Sequence, residues 1–365
     1  MCVTLILVVT VLVAAAVVVI VSVVSFTTAA ENQKPSLSLT EHKEVPVAKQ
    51  VAINLPDFLK KNLVENIASL PTFPPRSSVN LQSVYAQMVA GLHLLVKNNT
   101  LTIVRDFNGF QSRNTNTVAM IEDVLRTHDV PDVELFISTS DDVQGVEGGT
   151  AVPILTMSRK LSQPVLTYPD HSFYNWAEAK TAGWDEQAHL LKTIAGSSPF
   201  EKKRWVTLFR GARNAERGPL IDLCEKRNDG RFDVHSTEAG FVPLAEHPSS
   251  AFLLHLPGAT YSARLKYLLL CGSVVFCVTR PSGKYREFWY NFLEDEVNVH
   301  MLDNSSPNDV YQKVQKHMNR YEGPTGTQQF LLMAKRAASL HTLMPMAVVH
   351  NYWAHLMRSV AEVTR

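Results

Sequence analysis

The side chains with the most evident chemistry sit in a turn, Phe209-Arg210-Gly211-Ala212-Arg213-Asn214-Ala215-Glu216-Arg217-Gly218, between an apolar run and a segment opening on Pro219. Guanidinium forks, glycines that allow close backbone approach and the free N–H groups of a helix start together suit a phosphate or diphosphate. A solvated loop, with Glu216 pairing one arginine, is the competing reading. A second element, Gly258-Ala259-Thr260-Tyr261-Ser262-Ala263-Arg264-Leu265-Lys266-Tyr267, offers Ser262 as an N-cap yet places Arg264 and Lys266 in the first helical turn, where the dipole favours acids. Cations there are disfavoured unless an anion lies close; otherwise their stems lie along the helix surface with the charged heads in water. A third, Val133-Glu134-Leu135-Phe136-Ile137-Ser138-Thr139-Ser140-Asp141-Asp142, runs from apolar alternation into adjacent carboxylates, which either act on a proton or cap a turn.

Periodicity supplies the frame. Residues 81–96 and 117–127 have helical period, 102–104 is a short apolar run, and 133–137, 152–157 and 164–168 read as strands. After the polar stretch 195–203, strands are expected at 205–209, 232–235, 252–256, 274–278 and 298–302. Helices are expected at 219–225, 262–270, 286–293 and 307–321, and then over 328–363 with a break at Pro345. Alternating periods of this kind define an α/β protein, and two such units imply a cleft with binding groups at the carboxyl ends of strands.

Composition narrows the chemistry. In 365 residues, 45% apolar and 19% charged content is globular rather than disordered, and Lys plus Arg (35) against Asp plus Glu (34) leaves +1, without the basic surface of a general nucleic-acid binder. Cys2, Cys224, Cys271 and Cys277 form no CxxC, and HExxH is absent. So is Asp-x-Asp, the carboxylate pair that binds a divalent ion on a nucleotide diphosphate; dinucleotide, P-loop and hydrolase-elbow glycine motifs are missing too.

The run from Trp205 through Phe209-Arg210-Gly211 to Glu216-Arg217, then Gly258, Ser262-Ala263-Arg264-Leu265-Lys266, Leu270-Cys271-Gly272-Ser273-Val274-Val275-Phe276, Glu287-Phe288-Trp289-Tyr290, Leu293 and Val299-His300, resembles the protein O-glucosyltransferase family. These are also called capsule-associated or KDEL-motif-containing glycosyltransferases, and the match covers roughly residues 132–320. The resemblance implies two Rossmann-like domains facing a cleft (GT-B type), a UDP-sugar donor, inversion, and neither metal nor other cofactor. UDP-glucose and UDP-xylose are the expected donors, and a protein or glycan hydroxyl the acceptor. Arg217 and Ala259, Thr260, Tyr261, Ser262, Ala263 and Arg264 fall on UDP-contacting positions, with Arg210, Gly211, Gly258 and Glu287 alongside. Ala212 stands where the family commonly has serine, which removes one hydroxyl.

The same resemblance places Asp141 at the position of the catalytic base, with Asp142 as its neighbouring competitor. Tyr168, Pro169, Asp170, His171 and Phe173 resemble the family's Tyr-Pro-x-x-x-Phe segment on the acceptor side. For Phe173 and for Trp176 core packing is the expected role, and His171 is a secondary candidate base. Rival readings are a catalytically silent carbohydrate-binding or scaffold protein of the same fold and a sugar-nucleotide hydrolase without a dedicated acceptor. No counterpart of the family's cysteine-rich acceptor-binding region is found in the sequence.

Residues 3–26 carry no charge and are long enough to cross a hydrocarbon core of about 30 Å, so a signal-anchor is expected over residues 1–26. A signal peptide cleaved near Thr28-Ala29-Ala30 is the alternative. The expectation is a single-pass type II protein of the endoplasmic reticulum or Golgi membrane. A proline-rich stem (27–78, with one helix near 57–69), an acceptor domain (79–198), a nucleotide-sugar domain (199–327) and C-terminal helices (328–365) follow. Asn98-Asn99-Thr100 and Asn304-Ser305-Ser306 are potential glycosylation sequons.

Overall fold

The computed structural model describes residues 55–141, 150–279, 285–303 and 306–365. The expected anchor and most of the stem, Asp142 and the first two residues of the second sequon lie outside the described residues. Among the described residues no helix is long and apolar enough to cross a membrane.

Helix α1 (Asp57–Ala68) buries two amides against the body of the fold, Asn66 Nδ2 donating to Thr167 Oγ1 at 3.0 Å and Tyr352 Oη donating to Asn62 Oδ1 at 2.9 Å. Helix α2 (Leu81–Gln87) is capped by Asn80, whose side chain accepts from Gln82 N. The helical period expected as far as residue 96 stops there, and the chain continues as strand β1 (Gly91–Lys97). Gly91 has φ 142°, and a Cβ on it would stand 2.0 Å from the Ile137 carbonyl oxygen, so the helix ends where the chain closes against its neighbouring strand. Asn98 and Asn99, with φ 48° and 57°, make the two-residue turn into β2 (Thr100–Asp106).

Helix α3 (Gln111–Thr127) and strands β3 (Val133–Ser138), β4 (Ile154–Thr156) and β5 (Leu166–Thr167) complete a sheet of order β2-β1-β3-β4-β5. Strands β3, β4 and β5 pair in parallel, whereas β1 runs antiparallel to both its neighbours β2 and β3, so this sheet is mixed rather than wholly parallel. Helix α4 (Trp184–Ser197), which the periodicity did not single out, leads to a second sheet. Its strands are β6 (Arg204–Gly211), β7 (Phe232–Ser236), β8 (Ser250–His255), β9 (Val274–Thr279) and β10 (His300–Asp303), ordered β10-β9-β8-β6-β7 and parallel throughout.

Two helices expected in this half are shorter. Helix α5 (Gly218–Arg227) follows β6 as expected, but α6 comprises only Leu265–Leu268, and the helix expected over 286–293 is a single 3-10 turn, Tyr290–Phe292. Helices α7 (Pro307–Arg320), α8 (Gly323–Leu343) and α9 (Met346–Val363) close the chain, with the break at Pro345. Helix α9 returns to the first sheet: Trp353 is fully buried with Nε1 on Met120 Sδ at 3.1 Å, and Tyr352 Oη lies 3.1 Å from Thr167 O, an alternative acceptor for its one proton. Because β6 lies between β7 and β8, successive strands are added on opposite sides of β6, and the crevice at the carboxyl ends of β6 and β8 is where such sheets bind ligands.

Candidate functional site

Both arginine motifs leave the sheet at this switch point. The Arg217 side chain turns back over the end of β6, donating through Nε to Pro257 O at 2.9 Å, Nη1 to Ala212 O at 3.0 Å and Nη2 to Leu256 O at 3.2 Å. Arg264 reaches the same place from the other motif; its guanidinium carbon lies 5.2 Å and that of Arg217 5.8 Å from the Phe209 ring centre. A Cβ built on Gly211 would sit 2.9 Å from Arg264 Nη2 and 3.2 Å from Arg217 Nη1, so glycine keeps this wall open. The cavity in front of it, about 430 Å³, is also lined by Trp176, Glu178, Arg210, Ala212, His247 and Ser262.

The electrostatics of this wall favour an anion. Arg264 has no carboxylate partner among the described residues, and burial followed by the charge of Arg217 pushes its proton affinity down to about 9. Burial also pushes His247 down to about 4, Arg264 and Arg210 adding to the effect, so the imidazole is neutral. The other two arginines of the turn are occupied. Arg210 lines the cavity but gives Nη2 to Asp233 Oδ1 at 2.5 Å and Nη1 to the carbonyls of Phe209 and Asp233 at 2.8 and 2.7 Å. Arg213 pairs with Asp222 at the surface.

The 258–264 turn divides its residues among three spaces. Gly258 N donates to Tyr261 O at 2.8 Å, and a Cβ on Gly258 would meet that oxygen at 2.5 Å, so the tight turn requires glycine. Ser262 and Arg264 face the arginine cavity, Ala259 is exposed at the tip, and Thr260 and Tyr261 line a separate cavity of about 270 Å³ with His255, Thr279 and Tyr290. Ser262 does not cap α6: the helix begins at Leu265, and its side chain accepts no capping bond.

Lys266 is not on the surface but wholly buried, bonded to Ser172 Oγ at 2.5 Å and Ala263 O at 3.1 Å, with Asp170 Oδ1 at 3.4 Å. Tyr261 Oη donates to Asp170 Oδ2 at 2.9 Å and Tyr267 Oη to Ser172 O at 2.6 Å. Burial alone would raise the Asp170 carboxyl; the Lys266 ammonium and then His171 outweigh it and hold the group below its ordinary range. The expected acceptor-side segment therefore ties the loop after β5 to α6. Tyr168 donates to Ser138 O at 3.0 Å from the core, Pro169 is buried, and Phe173 packs edge-on against Trp184 and Phe288, each 5.4 Å away. None of Tyr168, Pro169, Asp170 and Phe173 offers a binding surface, because a carboxylate and an ammonium buried together must face one another. Glu287 is also interior: burial pushes it up to about 8 against the opposing Lys266 charge, Trp289 Nε1 donates to Oε2 at 3.1 Å, and it does not line the arginine cavity.

Asp141 lies just beyond β3 with its side chain 42% exposed, and Arg113 Nη1 bonds its Oδ1 at 2.8 Å while also reaching Thr139 O at 3.0 Å. It lines a recess of about 220 Å³ with Arg113, His171, Tyr261 and Ala263. Trp176, Glu178 and Ser262 line both this recess and the arginine cavity, so the two adjoin. Trp176, expected in the core, is half-buried between them. His171 is buried with Nδ1 unpartnered, and burial lowers its proton affinity. Arg113, Glu178 and His247 carry no motif; they join the site because α3 and the 3-10 turns Ala177–Ala179 and Leu244–Ser249 fold onto it.

A parallel sheet whose arginines converge at its switch point, beside a recess holding a carboxylate, belongs to the class of α/β proteins that bind phosphorylated ligands at strand ends. The chain belongs to glycosyl transferase family 90, whose model matches residues 78–365. O-glucosyltransferase rumi of Drosophila pseudoobscura pseudoobscura is 24% identical over 258 residues, 64% of this chain and 61% of that protein. Human protein O-glucosyltransferase 1 is 28% identical over 232 residues, 57% of this chain and 57% of that protein. The chain thus spans less than two thirds of these relatives. The solved structure of Anabaena HepE in complex with UDP aligns over 47% of this chain and 44% of that one, with 14% identity and a TM-score of 0.29.

Proposed function

We propose that this chain is an inverting glycosyltransferase that moves glucose or xylose from a UDP-sugar to a hydroxyl of a protein or glycan. Arg217 and Arg264 hold the diphosphate and neutralise it as it leaves, doing with two guanidiniums what a divalent ion would otherwise do, so no metal or other cofactor is invoked. Asp141, held by Arg113, takes the acceptor proton while the acceptor oxygen bonds to the anomeric carbon and the bond to the diphosphate breaks on the opposite face. The observation that carries this reading is the adjacency of the arginine cavity and the Asp141 recess, which share Trp176, Glu178 and Ser262. Membership of the family and the names of its O-glucosyltransferase relatives support it.

In this reading the two sheets are the halves of a GT-B arrangement, the acceptor half over residues 79–198 and the donor half over 199–327. The uncharged run 3–26 supports single-pass attachment to the endoplasmic reticulum or Golgi membrane with the folded part in the lumen.

One observation favours a silent carbohydrate-binding protein instead: the oxygen that would accept the proton already holds Arg113 at 2.8 Å. Incubating the purified chain with UDP-glucose or UDP-xylose, with and without hydroxyl acceptors, distinguishes the readings. Acceptor-dependent UDP release with sugar on the acceptor is expected. Release indifferent to acceptor identifies a hydrolase, and glycan binding without release identifies the silent protein.

A further inference from the structure

On the face of the second sheet that carries α7, a second group of donors comes together. His300, at the start of β10, lies beside Phe276 of β9; their chain neighbours Met301 and Cys277 point to the opposite face and line the 270 Å³ cavity. Glu296 lies in the loop before β10, and His317 on α7. One ligand atom from each of these three residues lies within 4.8 Å of the others, and the imidazole centres of His300 and His317 are 4.0 Å apart.

His300 indicates what the cluster lacks. Its side chain is 1% exposed, and Nε2 lies 2.6 Å from Tyr321 Oη. The Tyr321 hydroxyl is in turn placed to donate to Met333 Sδ at 3.4 Å, so the proton of the shorter contact is the one on His300 Nε2. That tautomer leaves Nδ1 as a bare lone pair. Nδ1 has no hydrogen-bond partner and stands 3.4 Å from Glu296 Oε1, while His317 Nδ1 stands 3.9 Å from the same oxygen. The buried His300 Nδ1 lone pair therefore faces the Glu296 carboxylate with no donor between them, while His317 Nδ1 and Glu296 Oε1 share Arg320 Nη1, at 3.3 and 3.0 Å.

We propose that Glu296, His300 and His317 bind a divalent transition-metal ion of the zinc class, separate from the arginine cavity, which clips the loop before β10 to α7. Ligand atoms about 2.1 Å from a tetrahedral zinc ion stand roughly 3.4 Å apart, so the set closes with side-chain shifts on the order of an ångström. The Tyr321 hydroxyl fixes the ring of His300 as an outer partner does in such sites. Arg320 is the competing cation: Nη1 bonds Glu296 Oε1 at 3.0 Å and His317 Nδ1 at 3.3 Å, Nη2 holds Oε2 at 3.0 Å, and the metal displaces Nη1 while Nη2 keeps Oε2.

The test is titration of the purified, chelator-stripped full chain with Co(II), read by visible d–d absorption, and with Zn(II), read by melting temperature. One ion per chain, displaceable by zinc, is expected. His317→Ala and Glu296→Gln should each weaken it at least about tenfold while far-ultraviolet circular dichroism and UDP binding stay as in the parent. Arg320→Ala should tighten it several-fold, a result that a purely structural arginine would not produce. The absence of both the d–d band and the zinc-induced shift in the parent, or a band unchanged in His317→Ala, overturns the proposal.

Discussion

Arg217 and Arg264, in motifs that leave different strands, present their guanidiniums to the same flank of Gly211, where a Cβ would lie 3.2 Å from one and 2.9 Å from the other. Gly211→Ala therefore strikes the flexible ends of both side chains and the edge of Phe209 rather than backbone, so the fold is kept and the spacing of the cations changes. UDP affinity measured by calorimetry should fall about tenfold, roughly 1.4 kcal/mol, with an unchanged circular dichroism spectrum.

Arg264 carries a buried charge beside Arg217 and has no carboxylate partner among the described residues. Arg264→Met should raise the melting temperature without nucleotide by a few degrees, because a desolvated cation beside Arg217 is removed. The same change should slow sugar transfer on the order of a hundredfold, about 3 kcal/mol of barrier. Equal or lower thermal stability in the variant would show that the guanidinium is balanced in the free protein.

If Asp141 is the base, Asp141→Asn keeps UDP-sugar binding and loses about 10²- to 10⁴-fold in kcat. Arg113→Met, which leaves the carboxylate in place but releases its 2.8 Å tether, should cost about ten- to hundredfold in kcat with the donor dissociation constant unchanged. A rise in turnover on releasing Arg113 would instead identify that arginine as a blocking partner.

His247 is neutral in the fold down to about pH 4, whereas its unfolded form takes a proton near 6.5. Between those values the unfolded state binds more protons, so the His247 contribution to stability is lost as pH falls. Relative to the parent, His247→Gln should gain about 2 kcal/mol in denaturant unfolding between about pH 7 and 5; a pH-independent difference would show that the ring is accessible to solvent.

Glu287 works in the opposite direction. Its folded carboxyl is raised to about 8 from 4.5, so the protonated form is favoured in the fold and stability is lost as pH rises through that window. Glu287→Gln mimics the protonated acid: its stability advantage should be small near pH 5 and grow toward about pH 8.5. Loss of UDP binding in this variant would overturn its assignment to the interior.

Strands β3, β6, β7 and β9 were legible because each is a short run of apolar or alternating residues whose burial does not depend on its neighbours' identity. The helical period of residues 81–96 misled at β1, because Val84, Met88, Leu92 and Leu95 keep helical spacing while Leu92, Leu94 and Val96 alternate as a strand face; pairing with β3 past Gly91 decided between them. Arg217, Arg264 and Asp141 were legible as chemistry-bearing residues next to strand ends. Which arginines are spent on a neighbouring aspartate was not. Asp233 and Asp222 occupy Arg210 and Arg213, and an ion pair depends on the distance between side chains rather than on motif.

Sequence alone determined the α/β class, the family and the pair of arginine motifs, since these rest on local pattern and residue type. Tertiary structure decided that Asp170 and Lys266, 96 residues apart, neutralise one another in the interior, and that Arg113, 28 residues before Asp141, holds the candidate base. It also gathered Glu296, His300 and His317 under α7. Charges out of contact with water are governed by what lies within a few ångströms, and that is set by how the sheets and helices pack.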